Sequence, residues 1–252
     1  MRKYLRNLNT IINKVNPDEI YNLGAQSHVQ ISFDIPEYTT QVNAVGTLNL
    51  LNIIKNSKKK IKFYQASSSE MFGKIHERMQ DENTKFYPLS PYATSKLFGY
   101  WITKNYRESY GMYACSGILF NHEGTKRGEE FVTRKISKGV ARISKAINNH
   151  KPFDPINLGN LDSKRDWSDS EDFVDGVWKM LNQTTPKDYV LSSNETHSIR
   201  EFVELAFSEA GIEGVWHGSG LNEEYSVSTK YAISKEPLSS ILVRVNEKFY
   251  RP

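Results

Sequence analysis

The pentapeptide Tyr92-Ala93-Thr94-Ser95-Lys96 sets a phenol and an ammonium four residues apart. On a helix, that spacing puts both side chains on one face. A free tyrosine ionises near pH ~10, too high for a base at neutral pH. A neighbouring ammonium favours the phenolate and lowers that value. Such a pair can take the proton of a hydroxyl while hydride leaves the same carbon. An ordinary surface helix pair has the same spacing, so the motif alone leaves both readings open. A second group, Gln65-Ala66-Ser67-Ser68-Ser69-Glu70, follows an apolar run. In doubly wound sheets, ligands sit at the carboxyl ends of strands. There the hydroxyl of Ser68 and the carboxylate of Glu70 can address one ligand. A strand-ending turn with a solvated glutamate fits the same string.

These residues need elements to position them. Leu5, Leu8, Ile11, Ile12 and Val15 recur at helical spacing, and Pro17 ends that helix. A short buried strand is predicted over 19–25. A helix over about 36–56 is carried by Val42, Val45, Leu48, Leu51 and Ile54. A strand over 61–66 runs into the turn Ser67-Ser68-Ser69. Ser90 followed by Pro91 is a capping hydroxyl ahead of proline at the first helical position, and it opens a helix to about Tyr110. The pattern continues with a strand over 112–120, an amphipathic helix over 131–149 and a strand near 155–159. A helix over 171–182 and a strand over 189–192 follow. Ser198-Ile199-Arg200-Glu201 is a capping box opening a helix to about Ala210. The last strand candidates are 215–217 and Ile241–Val245, and 218–240 reads as an irregular, polar segment. Alternating helices and strands imply parallel strands with crossover helices, an α/β sheet wound on both faces.

The 252 residues are 38% hydrophobic and 25% charged, which excludes global disorder. The net charge of +4 is mild. The tract KNSKKKIK over 55–62 reads as a solvated helix end and an edge loop; no aromatic interleaving points to nucleic acid. The single cysteine, Cys115, excludes an internal disulfide and reads as a buried core thiol. No apolar stretch is long enough to span a membrane, and no Cys/His cluster has metal-ligand spacing. A cytoplasmic protein that binds neither metal, membrane nor nucleic acid is expected.

A strand-end hydroxyl followed some two dozen residues later by a helix-borne Tyr-Lys pair is the layout of short-chain dehydrogenases. Longer strings narrow this. The run 21–29 (YNLGAQSHV), 63–70 (FYQASSSE), Ser90-Pro91-Tyr92 and 119–123 (LFNHE) resemble the GDP-mannose 4,6-dehydratase family. So do 131–136 (FVTRKI), 158–162 (LGNLD), 164–167 (KRDW) and the terminal Tyr250-Arg251-Pro252. The resemblance covers about 5–210 and the last dozen residues. It implies NADP-dependent conversion of GDP-mannose to a 4-keto-6-deoxy sugar nucleotide: oxidation at sugar carbon 4, loss of water across carbons 5 and 6, and return of the hydride to carbon 6. By the same resemblance Tyr92 would be the base and Lys96 would tune it and hold the nicotinamide ribose. Ser68, where the family usually has threonine, would bond the reacting hydroxyl. Glu70 would take the carbon-5 proton and protonate the departing hydroxyl. Leu23, Gly24, Ala25, Gln26, Ser27, Tyr38, His122 and Arg127 match cofactor positions. Asn121, Lys135, Arg165 and Arg251 match substrate positions. Two plainer readings stay open: His122 as a satisfied core histidine, and Arg165 in a structural salt bridge with Asp166.

A dinucleotide fold should open with a strand, a Gly-rich turn and a helix N-terminus for the pyrophosphate. No G-x-G-x-x-G run occurs in this chain. The expected fold is therefore an incomplete doubly wound, Rossmann-like parallel sheet lacking its first strands, with a smaller C-terminal substrate-binding region. Residues 1–122, with 155–193 contributing, are assigned to a partial NADP-binding domain. Residues 123–252 are assigned mainly to substrate, stopping short of the family's closing helices. A fragment of a longer reading frame, an inactive paralogue, and a pseudo-enzyme pairing with a full-length dehydratase all fit that expectation. Homo-oligomers or hetero-oligomers with a full-length dehydratase are the implied assemblies.

Overall fold

The structure is a computed structural model and describes residues 2–77, 79–228 and 241–249. In chain order its helices are α1 (Arg2–Val15), α2 (Ile31–Asp34), α3 (Pro36–Thr40), α4 (Gly46–Lys55), α5 (Pro91–Tyr110), α6 (Val132–Asn148), α7 (Ser170–Leu181) and α8 (Ile199–Glu209). Its strands are β1 (Glu19–Asn22), β2 (Lys62–Ser68), β3 (Ala114–Leu119), β4 (Asn121–Glu123), β5 (Ile156–Leu158) and β6 (Lys164–Arg165). They continue with β7 (Trp167–Asp169), β8 (Tyr189–Leu191), β9 (His197–Ser198), β10 (Gly214–His217), β11 (Glu224–Val227) and β12 (Ile241–Val245). The chain divides into two units. The first holds the described residues up to His122 together with Ser168–Ser193, and the second holds Glu123–Trp167 and the described residues from Asn194 onward.

In the first unit a parallel sheet runs in the order β1-β2-β3-β8. Successive side chains of a strand face opposite ways, and the apolar residues of β2 and β3 use both directions. Phe63 and Ala114 pack with Leu51, Ile54 and Tyr106 from α4 and α5. Tyr64 and Cys115 pack with Met180 and Leu181 from α7. The sheet is thus wound on both faces, as the alternation predicts. Cys115 is fully buried, and burial pushes its thiol up to about 12. The lysine tract is engaged locally: Lys59 pairs with Asp18 and Lys55 lies over the Tyr110 ring.

Helix α5 starts as predicted. The Ser90 hydroxyl accepts from the Ala93 amide at 3.0 Å, and Pro91 fills the first helical position. The helix ends at Gly111, whose φ of 62° is the left-handed conformation glycine adopts most readily. Replacing Ser90 with alanine removes this cap and should cost about 1 kcal/mol of stability, read from the urea midpoint.

The predicted helix over 36–56 is broken into α3, a π-helical turn at Gln41–Val45, and α4. That turn carries the buried Asn43. Pi-helical turns are rare and occur often at functional sites.

The second unit has a sheet in the order β10-β11-β12-β5, antiparallel except for the parallel pair β12–β5. Its core joins Ile136, Val140 and Ile143 of α6 to Val203 and Phe207 of α8, and to Leu242 and Val243 of β12. The strand near 155–159, expected in the first unit, belongs to the second, because the first unit regains the chain only at Ser168. Ile156 and Leu158 instead bury themselves in the second core while their backbone pairs with β12. The segment 218–240, expected to be irregular, contains β11. Tyr225 anchors that strand in the core beside Phe207 and Trp216, and its polar neighbours Glu224 and Ser226 hide the strand in the composition. Residues 229–240 lie outside the described ones. Among the described residues, no helix is long and apolar enough to cross a membrane.

Candidate active site

The carboxyl end of β2 and the first two turns of α5 meet in the first unit. Ser68 ends the strand with extended backbone, φ −149° and ψ 144°. Its hydroxyl oxygen accepts from the Glu70 amide at 3.2 Å, which leaves its own proton to donate elsewhere. The Ser69–Met71 turn that follows carries Glu70. Gly73, at φ +55°, turns the chain beneath it; a Cβ there would lie 1.8 Å from the Tyr87 carbonyl oxygen.

On α5, Tyr92 and Lys96 are both buried. The Lys96 ammonium donates to the Ala66 carbonyl at 2.9 Å and lies 5.9 Å from the centre of the Tyr92 ring. That bond ties the Tyr-Lys pair to β2, two residues ahead of Ser68. Among the described residues Lys96 has no carboxylate partner, and two of its three hydrogens remain to meet a ligand. Burial lowers its pKa to about 8.

The folded value lies below the ordinary 10.5. Between about pH 8 and 10.5 the unfolded state therefore binds the proton that the folded state has lost, and stability rises with pH there. Cys115 acts in the opposite direction, since its folded value is raised. The Lys96 contribution is therefore isolated as a difference. The stability of the parent chain minus that of Lys96→Met should increase from pH 8 to 10.5 in urea titrations.

Beyond β1, the loop 23–27 is fastened by Gln26. The Gln26 amide donates to Asn43 Oδ1 at 2.8 Å, and Thr39 donates to its side-chain oxygen at 3.3 Å. Leu23 is exposed, and the only atom near a Cβ added at Gly24 is Asn22 Oδ1 at 3.5 Å. The loop thus offers open backbone at the carboxyl end of a parallel strand. Tyr38 is exposed on α3. His122 stacks on Phe173 at 4.8 Å, with Nδ1 2.9 Å from the Phe120 carbonyl. A carbonyl only accepts, so Nδ1 carries a proton, and in the neutral ring Nε2 is then the acceptor. Asn121 is half-buried on β4.

Arg127, Lys135 and Arg165 lie in the second unit. Arg127 Nε is 3.1 Å from Glu123, an ion-pair distance off the line of a hydrogen bond, and its guanidinium lies 3.7 Å over the Phe131 ring. The Lys135 ammonium lies 3.5 Å over the Phe249 ring, and burial lowers its pKa. Arg165 donates to the Lys164 carbonyl at 2.7 Å. Arg251 lies outside the described residues. Among the described residues no cluster of metal-ligating side chains occurs.

The first unit also buries polar side chains to which the sequence assigns no role, among them Ser32, Asn43, Gln65 and Ser95. Gln65 accepts from Asn22 at 2.8 Å and from Thr47 at 3.2 Å, bracing the carboxyl ends of β1 and β2. The signal available was a polar residue inside an apolar run, as in Val42-Asn43-Ala44-Val45.

The sequence profile of one family, GDP-mannose 4,6 dehydratase, matches residues 4–252. The GDP-mannose 4,6 dehydratase of Drosophila melanogaster is 52% identical over 244 residues, covering 96% of this chain and 58% of that protein. The Homo sapiens protein of the same name is 49% identical over 244 residues, covering 96% and 62%. The chain therefore spans about three fifths of the length of these curated relatives. Among solved structures, RMD from Pseudomonas aeruginosa complexed with NADPH aligns with a TM-score of 0.74. It covers 93% of this chain and 70% of that one at 23% identity, a likeness of fold.

Proposed function

The chain belongs to the GDP-mannose 4,6-dehydratase family, and from that premise we propose that Ser68, Glu70, Tyr92 and Lys96 carry the conversion of GDP-mannose to GDP-4-keto-6-deoxy-mannose. The observation that carries this reading is the Lys96–Ala66 bond. It brings a phenol and a buried ammonium to the strand end that bears a hydroxyl and a carboxylate.

Tyr92 takes the proton of the carbon-4 hydroxyl, and Lys96 stabilises the phenolate by charge. Ser68, with its proton still to give, orients that oxygen. Once carbon 4 is a ketone, the neighbouring carbon-5 hydrogen is acidic. Glu70 removes it and returns a proton to the carbon-6 hydroxyl, which leaves as water. NADP, when bound, would supply the hydride acceptor for carbon 4 and the hydride donor for carbon 6, and the proton held by Tyr92 balances the one that carbon 5 must regain.

The open loop Leu23, Gly24, Ala25, Gln26 and Ser27 is proposed to hold the nicotinamide half of NADP, with Lys96, Tyr38 and the Nε2 acceptor of His122. An anionic ligand at Arg127 must share the guanidinium with Glu123. Asn121, Lys135, Arg165 and Arg251 are proposed for the nucleotide sugar, arginine suiting a pyrophosphate by paired donation. The first unit is then the NADP side and the second chiefly the sugar-nucleotide side. The lone buried thiol suits a reducing cytoplasm. Incubating the purified chain with GDP-mannose and NADP should yield a 4-keto sugar nucleotide. Absence of that product at any NADP concentration rejects the proposal.

A further inference from the structure

The peptide groups flanking Tyr92 are held on both sides by side-chain hydroxyls. The Tyr92 amide donates to Ser32 Oγ at 3.1 Å, and Ser32 in turn donates to the Val29 carbonyl at 2.6 Å. The Tyr92 carbonyl accepts from Ser95 Oγ at 2.7 Å. Ser95 Oγ accepts from Asn43 Nδ2 at 3.0 Å. The same Asn43 Nδ2 donates to the Gln26 carbonyl at 3.0 Å, while Asn43 Oδ1 accepts from the Gln26 amide at 2.8 Å. Only this orientation of the Asn43 amide satisfies all its partners. The three side chains are 0%, 2% and 4% exposed for Ser32, Asn43 and Ser95.

Helix formation accounts for only part of this arrangement. Ser90 caps α5 through the Ala93 amide and Ser32 satisfies the Tyr92 amide, which has no partner within the helix; the branch through Ser95 and Asn43 serves no helix end. A serine that bonds back to the carbonyl of its own helix adds nothing to helix stability and slightly lowers it. Burying three polar groups is costly unless every bond is made. Made in full, such a chain fixes one geometry.

We infer that Ser32, Asn43 and Ser95 are positioning residues that lock the backbone of Tyr92 to the loop 23–27. This inference rests on Tyr92 being the base proposed above. Asn43 is the joint: one amide grips the loop through Gln26 and the helix through Ser95. Through it, the height of the Tyr92 hydroxyl over Lys96 is set by the segment expected to hold the cofactor. Small misplacements of a reacting group are expensive, about 10²-fold for 1 Å.

The test compares Asn43→Ala, Ser95→Ala and Ser95→Thr with the parent chain. The Tyr92 phenol is titrated by 13C NMR of ring-labelled tyrosine, its signal assigned with Tyr92→Phe. Asn43→Ala and Ser95→Ala should each raise the Tyr92 titration by about one pH unit, as a phenolate does when it moves from an ammonium. They should lower kcat for GDP-mannose about tenfold with little change in KM, the pattern of an interaction that matters in the transition state. Ser95→Thr keeps the hydroxyl and should restore both. If Asn43→Ala does not fold, Ser95→Ala, which removes one oxygen, decides alone. An unmoved titration in the folded alanine variants overturns the inference. A parent chain without turnover whose titration still moves in the variants rejects the catalytic reading and supports this one. Turnover with an unmoved titration does the reverse.

Discussion

Replacing Tyr92 with phenylalanine should lower turnover of GDP-mannose by ~10²–10⁴-fold, the range for loss of a positioned acid–base group. The substitution removes one oxygen and keeps the ring. Tyr92 is 8% exposed, so its ring packing is retained. Its backbone bonds to Ser32 and Ser95 do not involve the phenol and remain. The thermal midpoint should therefore stay near that of the parent chain while product formation collapses. Lys96→Met should cut turnover as well, because the phenolate then lacks its ammonium. A phenylalanine variant that keeps a tenth or more of the parent rate would place the base elsewhere.

The largest effect on stability is expected from Asp188→Ala. Arg107, near the end of α5, meets Asp188 as a two-pronged pair, Nη1 to Oδ1 at 2.9 Å and Nη2 to Oδ2 at 2.7 Å. Nη1 also reaches the Ala114 carbonyl at 2.9 Å, and Asp188 Oδ1 accepts from the Ser116 amide at 2.9 Å. The two side chains are only 13% and 7% exposed. One ion pair thus fastens α5, β3 and the approach to β8. Removing one partner of a buried pair leaves the other charge without its counter-ion, at a cost of about 3–5 kcal/mol. Asp188→Ala should show this loss as a lower urea midpoint with an unchanged slope. Asp188→Asn keeps an acceptor for the Ser116 amide and should lose less. If both variants match the parent chain, the pair contributes no stability.

What the sequence revealed was mostly local. The Tyr92–Lys96 spacing, the Ser90-Pro91 start of α5 and the strand ending at Ser68 each depend on neighbours a few residues away. Local physics was enough to place them. The parallel, doubly wound first sheet followed from the alternation of elements. The Tyr92 clamp could not be read the same way. Asn43 and Ser95 are 52 residues apart, and Ser32 and Tyr92 are 60 apart. Their roles exist only once β1, the π-helical turn and α5 have packed. The second sheet was obscure for another reason. A β5 of three residues and a β11 with alternating polar residues give little periodic signal, and their partners come from distant parts of the chain. His122 meets the core-histidine reading, since its ring is stacked on Phe173 and bonded to the Phe120 carbonyl; its contact with a cofactor is a proposal.

In the proposed reaction one centre oxidises carbon 4, expels water and returns the same hydride to carbon 6. GDP-mannose carrying deuterium at carbon 4 tests it most directly. The label is followed by NMR after incubation with the chain and unlabelled NADP. A 4-keto-6-deoxy product with deuterium on carbon 6 is expected, and none from Tyr92→Phe over the same time. A product whose carbon 6 carries only solvent hydrogen, or no product from the parent chain, would contradict it.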